Sequence, residues 1–215
     1  GEEGQEGRLL RPGLVLGTVR QGTGGDFARM LGLSNKLPEA VAHLAGAQTR
    51  PCDLGFLKGT TDEGGPVWRG FLNIASFGLS GVVDEKVNST SKALGGKLSF
   101  MVGLGRAMAS YRPQHVRVTV DGQPFIDEPL VTCAIANGQY FGGGMRFAAS
   151  AEIDDGKFDV VAQMRTGVRE VLSVGDLYSG KMEQWPSVRR IRGALVAASP
   201  ASSQDRVLLD VDGEQ

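Results

Sequence analysis

The stretch "HVRVTVDGQPFIDEPLVTCAIAN" at residues 115–137 decides the expected fold, because it joins strict alternation to a turn signal. His115, Arg117 and Thr119 alternate with three valines, which is the period of a half-buried strand. The "DGQP" that follows, at 121–124, is typical of a turn between two antiparallel strands. The pattern therefore predicts a β-hairpin whose valine face points into a core.

Other short apolar runs extend this picture in both directions. Upstream, "GLVLGTV" at 13–19 predicts a buried strand, and two short helices follow, one capped by Asp26 and one over 37–47 that Gly46 ends. Helices are also predicted within 79–111 and over 167–179. The remaining predicted strands are "RPCDLGFLKG", "VWRGFLNIASFG", "KFDVVAQM", "RRIRGALVAAS" and "RVLLDVD", for roughly eight strands after residue 50. Many short strands with few helices favour an α+β fold built around a β-sandwich.

Composition narrows the class of protein. The net charge of −1 argues against a nucleic-acid partner, which would require a basic excess. Two histidines, His43 and His115, are too few for a multi-histidine metal site, and Cys52 and Cys133 are expected to be buried free thiols. No apolar run reaches the roughly 18 residues that span a bilayer. These features predict a cytoplasmic protein and leave peripheral membrane contact and a homodimer open.

The first candidate site is the glycine-rich turn "GTGGDFAR" at 22–29, between the predicted strand and helix. Gly22, Gly24 and Gly25 would let backbone N–H groups approach an anion, and a helix N-terminus favours negative charge. Asp26 could then bind Mg²⁺ beside phosphates. An ordinary turn with an aspartate cap remains the alternative.

Two further acidic turns are candidates. In "AEIDDGKFDV" at 151–160, Asp155 could hold a hard cation together with backbone carbonyls, or the segment could be a solvated turn. In "LLDVDGEQ" at 208–215, Asp212 could take a proton from an attacking hydroxyl, with Glu214 nearby, or the segment could be a frayed end.

Five phrases occur together and in a characteristic order: "GTGGDFARMLGL", "FLNIASFGLSG", "ANGQYFGGGMRFA", "IDDGKFDVV" and "DVDGE". From about residue 14 to the end, the chain resembles the bacterial diacylglycerol kinase and lipid kinase family, which is related to sphingosine kinases. The resemblance implies a two-domain kinase with a nucleotide cleft. It divides this chain into a flexible arm (1–13), a remnant of an α/β ATP-binding domain (14–48) and a β-rich lipid-kinase domain (49–215).

The resemblance also implies roles for particular residues. ATP and Mg²⁺ would be the cofactors, and a lipid at a membrane surface would be the phosphoryl acceptor. The implied ATP contacts are Gly22, Thr23, Gly24 and Asp26. The implied metal ligands are Asp155 and the carbonyls of Glu152 and Lys157. The implied catalytic residues are Asp212, as general base, and Glu214.

Two departures from the family pattern stand out. Gly25 occupies a position where the family usually has asparagine, so one polar contact is lost. The family's Gly-Gly-Asp-Gly-Thr nucleotide motif is absent, which is expected of a chain truncated at its N-terminus and inactive alone. Two alternatives to a lipid kinase therefore stay open: a non-catalytic lipid-binding or interaction module, and a kinase for a soluble alcohol.

Overall fold

In a computed structural model, the described residues are 13–19, 25–46, 48–61, 64–82, 111–166, 170, 173–202 and 207–213. Two helices come first, α1 (Asp26–Met30) and α2 (Leu37–Ala45). Ten strands and a third helix follow: β1 (Gly55–Thr60), β2 (Pro66–Phe71), β3 (Ile74–Gly78), β4 (Gln114–Val120), β5 (Gln123–Leu130), β6 (Thr132–Ala136), β7 (Phe158–Gln163), α3 (Val174–Ser179), β8 (Val188–Gly193), β9 (Val196–Pro200) and β10 (Leu209–Val211). A 3-10 helix over Lys181–Gln184 lies between α3 and β8.

The strands form three antiparallel sheets. Strands β10, β3, β6, β7 and β8 make a five-stranded sheet in that order, β5, β4 and β9 make a three-stranded sheet, and β1 with β2 makes a two-stranded ribbon. The predicted hairpin at 115–137 is confirmed, with β4 and β5 joined at Asp121 and Gly122. The valines of β4 are buried while His115 and Arg117 are exposed, as the alternation predicts.

The hydrophobic core lies on both faces of the five-stranded sheet. One face packs against the three-stranded sheet and completes the sandwich, with Phe77 and Val160 meeting Val118 and Leu130. The other face is covered by the 3-10 helix and the loop before β7, through Met182, Trp185 and Phe147. The predicted β-sandwich with a few helices is therefore confirmed.

The prediction of a buried strand at 13–19 is wrong. Residues 13–19 carry no strand, and Leu14, Val15 and Leu16 are exposed. A buried strand needs neighbours that supply ladder hydrogen bonds, and within the described ranges none pairs with this segment. The segment instead contacts α2, where the side chain of Leu44 lies against Gly17.

Other expectations have mixed outcomes. Helix α2 ends at Gly46 as predicted. In α1 the N-cap residue is Gly25 and not Asp26 as expected; Asp26 is the first residue of the helix and makes no capping hydrogen bond. Cys133 is buried, and burial raises its thiol pKa to about 12, whereas Cys52 is exposed and not buried as expected. Most of the predicted helices within 79–111 and 167–179 lies outside the described residues; helical structure is seen at 79–82, at residue 170 and in α3. None of the described helices is long and apolar enough to cross a membrane.

Candidate active site

Asp212 lies immediately after β10, where that strand ends beside β3. Its backbone is left-handed, with φ of 54°, and its N–H donates to the carbonyl of Ile74 at 3.0 Å. The exposed carboxylate accepts three backbone N–H bonds, from Leu72 to Oδ2 at 2.8 Å and from Asn73 and Ile74 to Oδ1 at 3.0 and 2.9 Å. A carboxylate oxygen has two lone pairs, so among the described contacts Oδ2 keeps one free. The carboxylate is therefore fixed in position and still able to accept a proton.

Asn73 connects this turn to the glycine-rich loop. Its carbonyl accepts the N–H groups of both Asn137 and Gly138 at 2.9 Å, and its side-chain amide donates to the carbonyl of Tyr140 at 2.9 Å. A β-carbon on Gly138 would lie 2.0 Å from Asn73 Oδ1. The close approach of the two segments thus depends on glycine at position 138.

Asn137 fastens the same turn from the other side. Its side chain is fully buried, and its amide donates to the carbonyls of Leu72 at 2.8 Å and Asp53 at 3.0 Å. Asp53 in turn accepts the N–H of Gly156 through its carboxylate at 2.7 Å. Asn137 therefore links the Asp212 turn to the acidic turn at 154–156.

Two acceptors in this cluster have no hydrogen-bond donor among the described residues. They are the buried Oδ1 atoms of Asn73 and Asn137. Buried polar atoms are normally hydrogen-bonded, so these two acceptors are exceptions. Both lie on residues that hold the Asp212 turn.

Asp26 lies against the glycine-rich loop. It is buried, accepts the N–H of Gly143 at 2.8 Å and forms an ion pair with Arg29 one turn along the same helix. The Arg29 guanidinium lies 5.7 Å from the centre of the Tyr140 ring, and the Arg146 guanidinium lies 5.9 Å from it. Asp212 and Asp26 are thereby connected through Asn73 and Tyr140.

Asp155 is already engaged within the chain. Its Oδ1 accepts the N–H of Lys157 at 3.0 Å, and its Oδ2 forms an ion pair with Arg192. The side chain of Glu152 is exposed. No group of three or more His, Cys, Asp or Glu side chains that could hold a metal occurs in the described part of the chain. A cation at Asp155 would meet the positive charge of the Arg192 guanidinium, so this conformation does not fit a preformed metal centre.

Arg192 also reaches a buried carboxylate, Asp159, at 3.1 Å. Burial raises the pKa of Asp159, and Glu183 adds to that effect, while hydrogen bonding to Ser150 and the charge of Arg190 oppose it. The turn at 154–156 is therefore linked through Arg192 to the buried Asp159.

Several predicted site residues lie outside the described ranges: Gly22, Thr23, Gly24 and Glu214. Conversely, sequence reasoning missed Asn73, Asp53 and Arg192. Asn73 had a usable signal, because it is a polar residue that interrupts the apolar run "FLNIASF". Asp53 and Arg192 had none, since their partners are about 100 and 37 residues away along the chain.

The chain is similar to known proteins over most of its length. The family model described as the YegS C-terminal NAD kinase beta sandwich-like domain matches residues 73–215. A diacylglycerol kinase of Mycobacterium tuberculosis is 29% identical over 148 residues, covering 68% of this chain and 46% of that protein. A diacylglycerol kinase of Bacillus subtilis is 26% identical over 164 residues, covering 76% and 51%. The chain thus spans about half the length of these curated relatives.

A solved structure of a diacylglycerol kinase from Bacillus anthracis superposes with a TM-score of 0.60 at 21% identity. The superposition covers 90% of this chain and 58% of that one. At 21% identity this similarity supports the fold alone, and it agrees with the sandwich described above.

Proposed function

The chain belongs to the bacterial diacylglycerol kinase and lipid kinase family, and on that premise we propose that it is the C-terminal part of an ATP-dependent lipid kinase. The acceptor would be a hydroxyl of a lipid such as diacylglycerol, met at a membrane surface from the cytoplasmic side. The observation that carries the proposal is the Asp212 carboxylate, exposed and held by three backbone N–H groups.

In this proposal Asp212 acts as the general base. Its Oδ2 takes the proton of the lipid hydroxyl, while the hydrogen bonds from Asn73 and Ile74 keep Oδ1 in place. Phosphoryl transfer depends mostly on positioning, so a base whose orientation is set by backbone atoms suits the reaction. Glu214 is proposed to assist at the same end of the chain.

When bound, ATP would supply the γ-phosphoryl group, and Gly22, Thr23 and Gly24 are the proposed phosphate contacts. Asp26 is the proposed Mg²⁺ contact on that side. Because the Asp26 carboxylate is paired with the Arg29 guanidinium, a cation bound there would meet the positive charge of that side chain. The same limit applies to the proposed cation at Asp155, with Glu152 and Lys157 beside it.

The base assignment is tested by Asp212→Asn in the full-length protein, assayed for phosphate transfer from ATP to diacylglycerol. Asparagine tolerates the left-handed backbone, but its amide cannot act as a base near neutral pH. The rate of phosphate transfer is therefore expected to fall about 100-fold or more. The matched control is Asp121→Asn. Asp121 also has positive φ, at 50°, and also accepts two backbone N–H bonds, from Ala194 and Leu195, but it lies in the β4–β5 turn.

Three outcomes are informative. Loss of transfer in Asp212→Asn alone supports the general base. Wild-type turnover in that variant would overturn it. Lipid binding without phosphate transfer in the wild-type protein would favour the alternative, a non-catalytic lipid-binding module. The pairing of the Asp26 and Asp155 carboxylates with arginines is compatible with that alternative.

A further inference from the structure

The two-stranded ribbon of β1 and β2 presents an exposed apolar face. Phe56 and Lys58 of β1 alternate with inward residues, and Trp68 lies opposite Lys58 in the register of the pair. Leu54, just before β1, lies on the same side, next to Gly70. We call Leu54, Phe56, Lys58 and Trp68 the aromatic face. Leu54, Phe56 and Trp68 are 38%, 39% and 40% exposed.

The members of the aromatic face are packed on one another. The rings of Phe56 and Trp68 have centroids 5.3 Å apart, and Lys58 Nζ lies 4.5 Å from the centre of the Trp68 ring. The apolar residues therefore form one continuous patch, with a cation at its edge. Indole and ammonium groups at the border of an apolar patch are suited to the boundary between lipid tails and headgroups.

The opposite face of the ribbon is anchored to the domain. Phe71 packs its ring under Gly55, where a β-carbon would lie 2.2 Å from it, and stacks on Phe158 of β7 with centroids 5.5 Å apart. The aromatic face is thus held outward by a packed attachment. Since its orientation is fixed, little conformational entropy would be lost when it met a second surface.

The charges of the ribbon indicate the chemistry of that surface. Lys58 and Arg69 are both exposed, and neither forms an ion pair among the described residues. Asp62 and Glu63, between β1 and β2 in the sequence, lie outside the described ranges. Arg69 is opposite Leu57 in the register, so its side chain lies on the other face of the ribbon, and Lys58 is the cation of the aromatic face. Its charge suits anionic groups, such as acidic lipid headgroups.

We propose that the aromatic face docks on an anionic lipid bilayer, with Phe56 and Trp68 entering the interfacial layer and Lys58 contacting acidic headgroups. Docking would present the chain to the surface where its proposed lipid substrate resides, so the inference builds on the proposed function. It names a surface distinct from the residues assigned to the reaction. It concerns adsorption alone and involves no insertion across the bilayer.

Tryptophan fluorescence tests this directly, because the chain has only two tryptophans. Trp185 is buried and donates its indole N–H to Asp176, so its emission should not respond to lipid. Adding vesicles of phosphatidylcholine with phosphatidylglycerol is expected to shift the Trp68 emission to the blue and to sediment the protein. The shift should be absent in Trp68→Phe, which retains an aromatic ring.

Variants separate this face from the rest of the surface. Phe56→Ser with Trp68→Ser should lower the vesicle partition coefficient about tenfold or more, since two apolar side chains are lost from the interface. Lys58→Glu should weaken binding to anionic vesicles and leave weak binding to pure phosphatidylcholine unchanged. The control is Tyr178→Ser, which removes another exposed aromatic, 46% exposed, on α3.

The proposal is overturned if Trp68 shows no blue shift with anionic vesicles, or if Tyr178→Ser weakens binding as much as the ribbon variants do. Self-association through the ribbon, seen as a concentration-dependent dimer that the ribbon variants abolish while vesicles bind nothing, would overturn it in favour of a protein partner. Because no step needs ATP or turnover, failure here leaves the kinase proposal untouched. Likewise, an inactive kinase that still binds vesicles leaves this proposal standing.

Discussion

Glycine 138 shows how one residue decides the local geometry of the candidate site. The glycine-rich segment contains Gly142, Gly143 and Gly144 at φ of 61°, 83° and 113°, which suits the tight loop closed by the Phe141–Met145 bridge. Gly138 is different, because its φ is not positive and its requirement is purely spatial. Asn73 Oδ1 occupies the place where a side chain would begin.

The two kinds of glycine predict different costs. Gly138→Ala should lower the free energy of unfolding by about 3 kcal/mol, because it forces Asn73 away from Gly138 and so disturbs the Asp212 turn. The control, Gly143→Ala, meets no atom within 4 Å and should cost only the strain of positive φ, about 1 kcal/mol. Urea denaturation of both variants checks this, and equal midpoints would contradict it.

At the scale of elements, the short helix α1 depends on tertiary contacts. Five residues are too few to hold a helix alone. Asp26 and Met30 supply the attachment, through the Gly143 N–H and through a 3.4 Å contact between Met30 Sδ and the Gln139 N–H. The helix is therefore stable only while it stays in contact with the glycine-rich loop.

Asp26→Ala should consequently release α1. The loss of the buried Asp26 contact with Gly143 is expected to cost about 1–3 kcal/mol locally, so amide hydrogen exchange over 26–33 should accelerate at least tenfold while β4 and β6 stay protected. Glu39→Ala in α2 is the control, because it removes an exposed pair with Lys36. Unchanged exchange in α1 after Asp26→Ala would show that other contacts hold the helix.

Strand β10 makes the same point at the other end of the chain. It has three residues, and taken alone its sequence is equally compatible with a frayed terminus. Pairing with β3 in the register Asp210–Ser76 places Asp212 just past the strand, beside the β2–β3 turn. A carboxylate of uncertain role thus becomes a fixed group of the site.

At the scale of the whole molecule, the sandwich buries charge as well as apolar surface. Asp159 is 1% exposed between β8 and the 3-10 helix, with Arg192 at 3.1 Å and the Ser150 hydroxyl at 2.7 Å. Because burial raises its pKa, the folded protein retains this proton to a higher pH than the unfolded chain does.

This pKa shift predicts a pH dependence of stability. The contribution of Asp159 is full below its ordinary pKa of 3.8 and is lost as the pH rises through the raised value. The stability of wild type relative to Asp159→Asn should therefore decrease as the pH is raised from below 3.8 toward neutrality. Thermal melts across that range measure the difference, with the exposed Asp127→Asn as control. An increase with pH would show that the arginines outweigh burial.

Local patterns were sufficient for the β4–β5 hairpin, the order of the family motifs and most strand positions, because alternation, turn residues and glycines act over a few positions. The predicted strands at 67–78 and 189–199 are each divided in the structure, into β2 with β3 and β8 with β9. They failed at 13–19, where an apolar run lacks a strand to pair with. They also could not show that Asn73, Asn137 and Asp53 join the three acidic turns, or that Arg192 forms an ion pair with Asp155. Those contacts join segments distant in sequence, and they exist only because antiparallel pairing brings the start of β3 beside the ends of β6 and β10.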